Sequence, residues 1–171
     1  MRYLAIAIAM LVAAPAFAQE EAPDKADADY LFTVDVGPGF FKVLDDSTNT
    51  AAVEAYIALA WHPHYRFALG ARMNATTEPG ETSAKITGAP WVFLRGYLTG
   101  IEGGLRTYLE LSASTAGTVS LLGGAELGFG EGVAAFATVE GRRLTTEEAE
   151  ELINNDLLGF RGGLRAGWGS R

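Results

Sequence analysis

The sequence predicts an all-β fold, an eight-stranded antiparallel up-and-down transmembrane β-barrel, and three observations carry that reading. From residue 30 onward, short segments alternate apolar with polar or tiny side chains, the period-two signature of a strand with two different faces. The connections between those segments alternate between tight and long. The charged side chains of the segments gather on a single face, and most of the cations there are arginine.

The first strand is expected over 30–36, where Phe32, Val34 and Val36 oppose Thr33 and Asp35. In 53–61, Val53, Ala55, Ile57, Leu59 and Trp61 oppose Glu54, Tyr56, Ala58 and Ala60. In 65–73, Tyr65, Phe67, Leu69, Ala71 and Met73 oppose Arg66, Ala68, Gly70 and Arg72. The fourth segment, 86–98, is less regular. Its core Trp91-Val92-Phe93-Leu94 is continuously apolar, and Pro90 lacks a ladder donor. Val92 and Leu94 are assigned to one face, and Trp91, Phe93 and Arg95 to the other.

Segment five, 101–111, sets Ile101, Leu105, Leu109 and Leu111 against Glu102, Arg106, Tyr108 and Glu110. The sixth sets Val119, Leu121, Ala125, Leu127 and Phe129 against Ser120, Gly124, Glu126 and Gly128. In the seventh, Val133, Ala135, Ala137 and Val139 oppose Phe136, Thr138, Glu140 and Arg142. The eighth sets Leu158, Phe160, Leu164, Ala166 and Trp168 against Gly159, Arg161, Gly163, Arg165 and Gly167.

Tight turns are expected at His62-Pro63-His64, Thr99-Gly100 and Gly130-Glu131-Gly132, and longer polar loops at 44–49, 74–85, 112–118 and 144–156. An even strand count with short turns at one end and longer loops at the other is the topology of an outer-membrane barrel with its loops outside. Thr145-Thr146-Glu147-Glu148 also resembles a helix start, which places a short helix in the last loop through Leu152.

Alternation fits a soluble calyx as well as a membrane barrel, so composition must orient the faces. The polar face carries Asp35, Glu54, Glu102, Glu110, Glu126 and Glu140 against Arg66, Arg72, Arg95, Arg106, Arg142, Arg161 and Arg165. Guanidinium groups pair with carboxylates in confined space, whereas a water-facing surface is ordinarily rich in lysine. The apolar face has almost no charge, as a surface against hydrocarbon requires. Aromatics at the tight-turn end, Phe32, Trp61, Tyr65, Tyr97, Phe129 and Trp168, match an interfacial girdle.

Residues 1–18 have one early arginine, a short apolar run and small residues flanking Phe17, which reads as a cleaved signal peptide. Residues 19–29 read as a flexible acidic periplasmic leader, and 30–171 as the barrel. The absence of cysteine removes disulfides, thiolate metal sites and cysteine nucleophiles. A formal net charge of −8 with no basic patch argues against a nucleic-acid partner.

On these features the chain resembles the small eight-stranded outer-membrane β-barrel family typified by the OmpA transmembrane domain and OmpX. The resemblance covers residues 30–168. Such barrels tend to end in an assembly signal, polar-x-Gly-x-x-apolar-x-aromatic, and Arg161, Gly163, Ala166 and Trp168 stand at those positions. Ala166 is a weak apolar member, and three residues follow Trp168. The resemblance implies the outer membrane of a Gram-negative bacterium as location. It implies as partners membrane lipid, lipopolysaccharide, the assembly machinery and a surface ligand reached through the external loops.

No catalytic, cofactor or metal residue is assigned. His62 and His64 are the only histidines, and with no nearby third ligand their spacing is read as a turn. The run Glu147, Glu148, Glu150, Glu151 is read as a solvated helix face in preference to a Ca²⁺ site. A non-enzymatic structural or surface-interaction barrel with a charge-filled lumen is the leading function. A small gated, porin-like channel is second, ahead of a lipid A-modifying enzyme and a soluble periplasmic ligand-binding barrel.

Overall fold

Eight strands follow one another around a closed barrel in the computed structural model, which describes residues 30–43, 51–77, 85–99, 104–130, 132–144 and 157–169. They are β1 (Phe32–Val43), β2 (Ala51–His64), β3 (Phe67–Thr77), β4 (Lys85–Tyr97), β5 (Leu105–Ser114), β6 (Thr118–Gly130), β7 (Val133–Leu144) and β8 (Leu157–Trp168). Each pairs antiparallel with its chain neighbours, and β8 closes on β1, with Phe32 opposite Trp168. The expected signal peptide, the acidic leader and the short helix at 145–152 lie outside the described residues.

The two faces fall where the alternation puts them. Ile57, Val92, Phe160 and Leu164 point outward and are each more than half exposed, while Asp35, Glu54, Glu110 and Glu140 point inward and are buried. This is the inverse of a water-soluble barrel, and an exterior this apolar is a surface for hydrocarbon. Even the irregular fourth segment keeps its assignment: Trp91, Phe93 and Arg95 are inside, Val92 is exposed and Leu94 half-exposed.

Several boundaries differ from the sequence expectation, each for a local reason. β1 does not stop at Val36 but runs through Gly37-Pro38-Gly39 to Val43. Pro38 faces outward opposite Ala55, where its ring meets no interior neighbour. The β2–β3 turn is Tyr65-Arg66, so His62, Pro63 and His64 belong to β2. A register shift between Trp61 and His64 accommodates Pro63, which has no N–H for the ladder. β5 begins at Leu105, after Gly104 turns the chain at a left-handed φ of 81°, and the expected start at 101 lies outside the described residues.

The connection expected as a long loop at 112–118 is a three-residue turn, Thr115 to Gly117. The Gly117 amide donates to the Ser114 carbonyl at 3.2 Å, and the Thr118 amide to Ser114 Oγ at 3.1 Å. Gly117 takes φ 79°, the left-handed residue that three-residue hairpins use. At the same end, the β1–β2, β3–β4 and β7–β8 connections fall at 44–50, 78–84 and 145–156, within which no residue is described. The tight-turn end is less uniform than expected, because the β4–β5 connection spans 98–104.

Candidate functional site

Among the described residues, polar chemistry is concentrated in the interior, and each strand contributes to it through its inward alternate residues. Arg72 comes from β3, Arg95 from β4, Arg106 and Glu110 from β5, Glu126 from β6, Glu140 and Arg142 from β7, Arg161 and Arg165 from β8, Asp35 from β1 and Glu54 from β2. All are buried except Arg142, which is half-buried toward the loop end.

These groups form one alternating chain of ion pairs along the barrel. At the tight-turn end Arg106 Nε donates to Glu126 at 2.6 Å, and Glu126 also pairs with Arg165. Arg165 donates twice to Asp35, from Nε at 2.6 Å and from Nη2 at 2.8 Å, a two-pronged contact that fixes both planes. Asp35 accepts from Arg95 at 2.9 Å, Arg95 reaches Glu110 at 2.7 Å, and Glu110 pairs with Arg72 at 3.2 Å. Arg72 continues to Glu140 at 2.8 Å and to Ser112 Oγ at 3.1 Å.

Near the loop end the chain becomes a square. Arg142 bonds Glu54 at 2.6 Å and Glu140 at 3.1 Å, while Arg161 bonds Glu140 at 2.9 Å and Glu54 at 3.4 Å.

Aromatic rings cover the same guanidinium groups. Arg106 lies 3.6 Å from the Tyr97 ring centre, Arg142 3.8 Å from Phe41, Arg72 4.6 Å from Trp91, Arg95 4.7 Å from Tyr108 and Arg161 4.8 Å from Tyr56. Arg165 sits between Tyr108 and Phe136. In a desolvated interior each such contact adds attraction beyond the ion pairs.

The rings fit because glycines stand opposite them. Phe41 pairs with Gly159, Phe93 with Gly70, Tyr108 with Gly124 and Phe136 with Gly163 across adjacent strands. A Cβ at any of these four glycines would collide with the ring beside it. An eight-stranded interior is only wide enough for side chains to fill, and here large and absent side chains alternate to fill it.

Of the thirteen residues expected in the lumen network, eleven are joined in this chain. Arg66 lies instead in the β2–β3 turn, half-buried beside Tyr65, because β3 starts at Phe67, two residues after the expected start. Glu102 lies outside the described residues. Tyr97, expected in the outer girdle, is inside at 5 % exposure, since it shares the inward parity of Phe93 and Arg95. Of the other expected girdle aromatics, Trp61, Phe129 and Trp168 are exposed on the outside, Phe32 stacks on Trp168 at 6.1 Å, and Tyr65 is half-buried in the β2–β3 turn.

His62 is likewise inside, its Nε2 2.9 Å from Thr33 Oγ1 and its ring stacked on Tyr97. His64 is exposed, accepts the Arg66 amide at Nδ1 and packs on Tyr65. The two imidazoles therefore do not converge on one ion, and among the described residues no group of three or more candidate ligands does. In the expected assembly signal, Arg161 points inward and is buried, whereas Ala166 and Trp168 point outward and are exposed.

Phe41 and Leu122 are lumen residues that the sequence pattern did not single out. Phe41 continues the inward parity of Asp35 past Gly37 and Gly39, a signal present in the sequence but interrupted by residues without side-chain contrast.

No family model matches the chain, and no curated protein matches it by sequence. Among solved structures, the crystal structure of Neisserial surface protein A superposes with a TM-score of 0.54 at 11 % identity, covering 80 % of this chain and 97 % of that one. At that identity the likeness concerns the fold: this chain is a closed eight-stranded antiparallel β-barrel of the architecture seen in Neisserial surface protein A.

Proposed function

We propose that the chain is a non-enzymatic integral protein of a Gram-negative outer membrane, with the loop end outside and the interior serving as a rigid plug. Its role is to stabilise the membrane or to present the loops for surface interaction. The observation that carries this reading is the unbroken ion-pair chain from Arg106 to Glu54, with a ring against each guanidinium.

Removing one partner of a buried ion pair costs about 3–5 kcal/mol, so a path through this interior would require several such losses together. The apolar exterior and the Trp61, Phe129 and Trp168 girdle support the membrane assignment. Arg161, Gly163, Ala166 and Trp168 are proposed as the signal read by the outer-membrane assembly machinery.

Planar-bilayer recording tests the plug. The expected trace has no sustained conductance steps at any holding voltage within the bilayer's tolerance. Steady ohmic steps that persist after repurification would overturn the plug. They would favour a second reading, a narrow gated channel, whose support is the loop-end square in which Arg142 and Arg161 share both Glu54 and Glu140.

A further inference from the structure

Among the described residues, the outward face carries two exposed charges, Lys42 on β1 and Arg143 on β7, both near the loop end. They sit on either side of β8. Lys42 pairs with Leu158, Leu158 pairs with Gly141, and Arg143 lies two residues beyond Gly141 on the same face. With strands about 4.8 Å apart and about 3.3 Å per residue, their Cα atoms are about 12 Å apart, within joint reach of two long basic side chains.

The surface between them is open as well as charged. A Cβ at Gly141 would meet nothing within 4 Å, so the surface beside the two cations is open at that position. One step toward the barrel middle, Phe40 and Phe160 stand opposite each other and are about half exposed, an apolar platform directly below the charges. Neither Lys42 nor Arg143 has an ion-pair partner among the described residues.

A cation on a hydrocarbon-facing surface is unfavourable unless it reaches the headgroup layer, where anionic groups attract it. We propose that Lys42 and Arg143 form a binding site for the phosphate of a phosphorylated glycolipid in the outer leaflet, lipopolysaccharide in the membrane assigned above. Gly141, without a side chain, leaves the surface between them open to the headgroup, and Phe40 and Phe160 carry its acyl chains. This inference rests on the orientation proposed for the barrel.

The full chain, purified and folded in detergent, is titrated with bis-phosphorylated lipid A, with the same lipid after removal of its phosphates, and with inorganic phosphate. Bound lipid is counted by native mass spectrometry. The unperturbed chain is expected to retain the phosphorylated lipid at least tenfold more tightly than the dephosphorylated one. The double variant K42A/R143A is expected to lose about 30-fold, since each basic side chain near an anionic lipid surface contributes about fivefold. R66A, which changes a cation at the opposite end, is expected to bind as the parent does.

Equal affinity of parent and double variant, or equal retention of both lipids, would overturn the site. Competition by inorganic phosphate at matching concentration would overturn the assignment to a lipid. A shift between unheated and boiled samples on a gel reports separately on the membrane-barrel reading. A shifted barrel that ignores the phosphates sinks only this inference, and a barrel that never shifts sinks both.

Discussion

Asp35→Leu is expected to destabilise the folded barrel by about 3–5 kcal/mol, the loss typical of removing one member of a buried ion-pair network. The Asp35 carboxylate accepts two bonds from Arg165 and one from Arg95, and it is buried at 2 % exposure. Without it, two guanidinium groups face each other in the tight-turn half with only Glu110 and Glu126 as counter-charges. Leucine roughly matches the volume but accepts no bond, so the loss falls on the arginines and not on packing. Urea titration of the barrel in lipid vesicles, followed by tryptophan fluorescence, measures it. A loss below about 1 kcal/mol, the size of a surface pair, would mean that the chain is a row of independent contacts and not a network.

Ile57→Arg is expected to cost about 2–4 kcal/mol, because a cation at the middle of the lipid-facing surface has no headgroup within reach. Ile57 lies midway along β2, points outward and is 54 % exposed. Its neighbour Ala58 faces inward between Asp35 and Arg72, so Ala58→Arg meets crowding and a like charge. Folding each variant into vesicles of two acyl-chain lengths separates the causes. The Ile57→Arg penalty should fall in the thinner bilayer, where snorkelling to the interface is shorter, and the Ala58→Arg penalty should not. The same thickness dependence for both would contradict the register.

The faces were legible because a barrel interior and exterior differ at every second residue, and the contrast survives even the apolar run around Trp91. Strand ends were less legible. Gly37-Pro38-Gly39 offers no side-chain contrast, so β1 seemed to end at Val36 and Phe41 was lost with it. Pro63 suggested a turn where a bulged strand continues, which shifted the start of β3 and misplaced Arg66 and His62.

What sequence reasoning could not supply is pairing across the barrel. Arg165 and Asp35 are 130 residues apart, and nothing local says that they meet. The facing of Phe41 and Gly159, or of Phe93 and Gly70, follows from inter-strand register, which a single strand's alternation does not encode. The charges could be counted in advance; their order along the axis could not.

The central claim, that this barrel presents its apolar face to a membrane and seals its charges inside, is tested most directly by fractionating cells that produce the full chain. The account predicts recovery in the outer-membrane fraction, and faster migration of the unheated protein than of the boiled protein on a denaturing gel. A protein found soluble in the periplasm, with the same mobility before and after boiling, would contradict it.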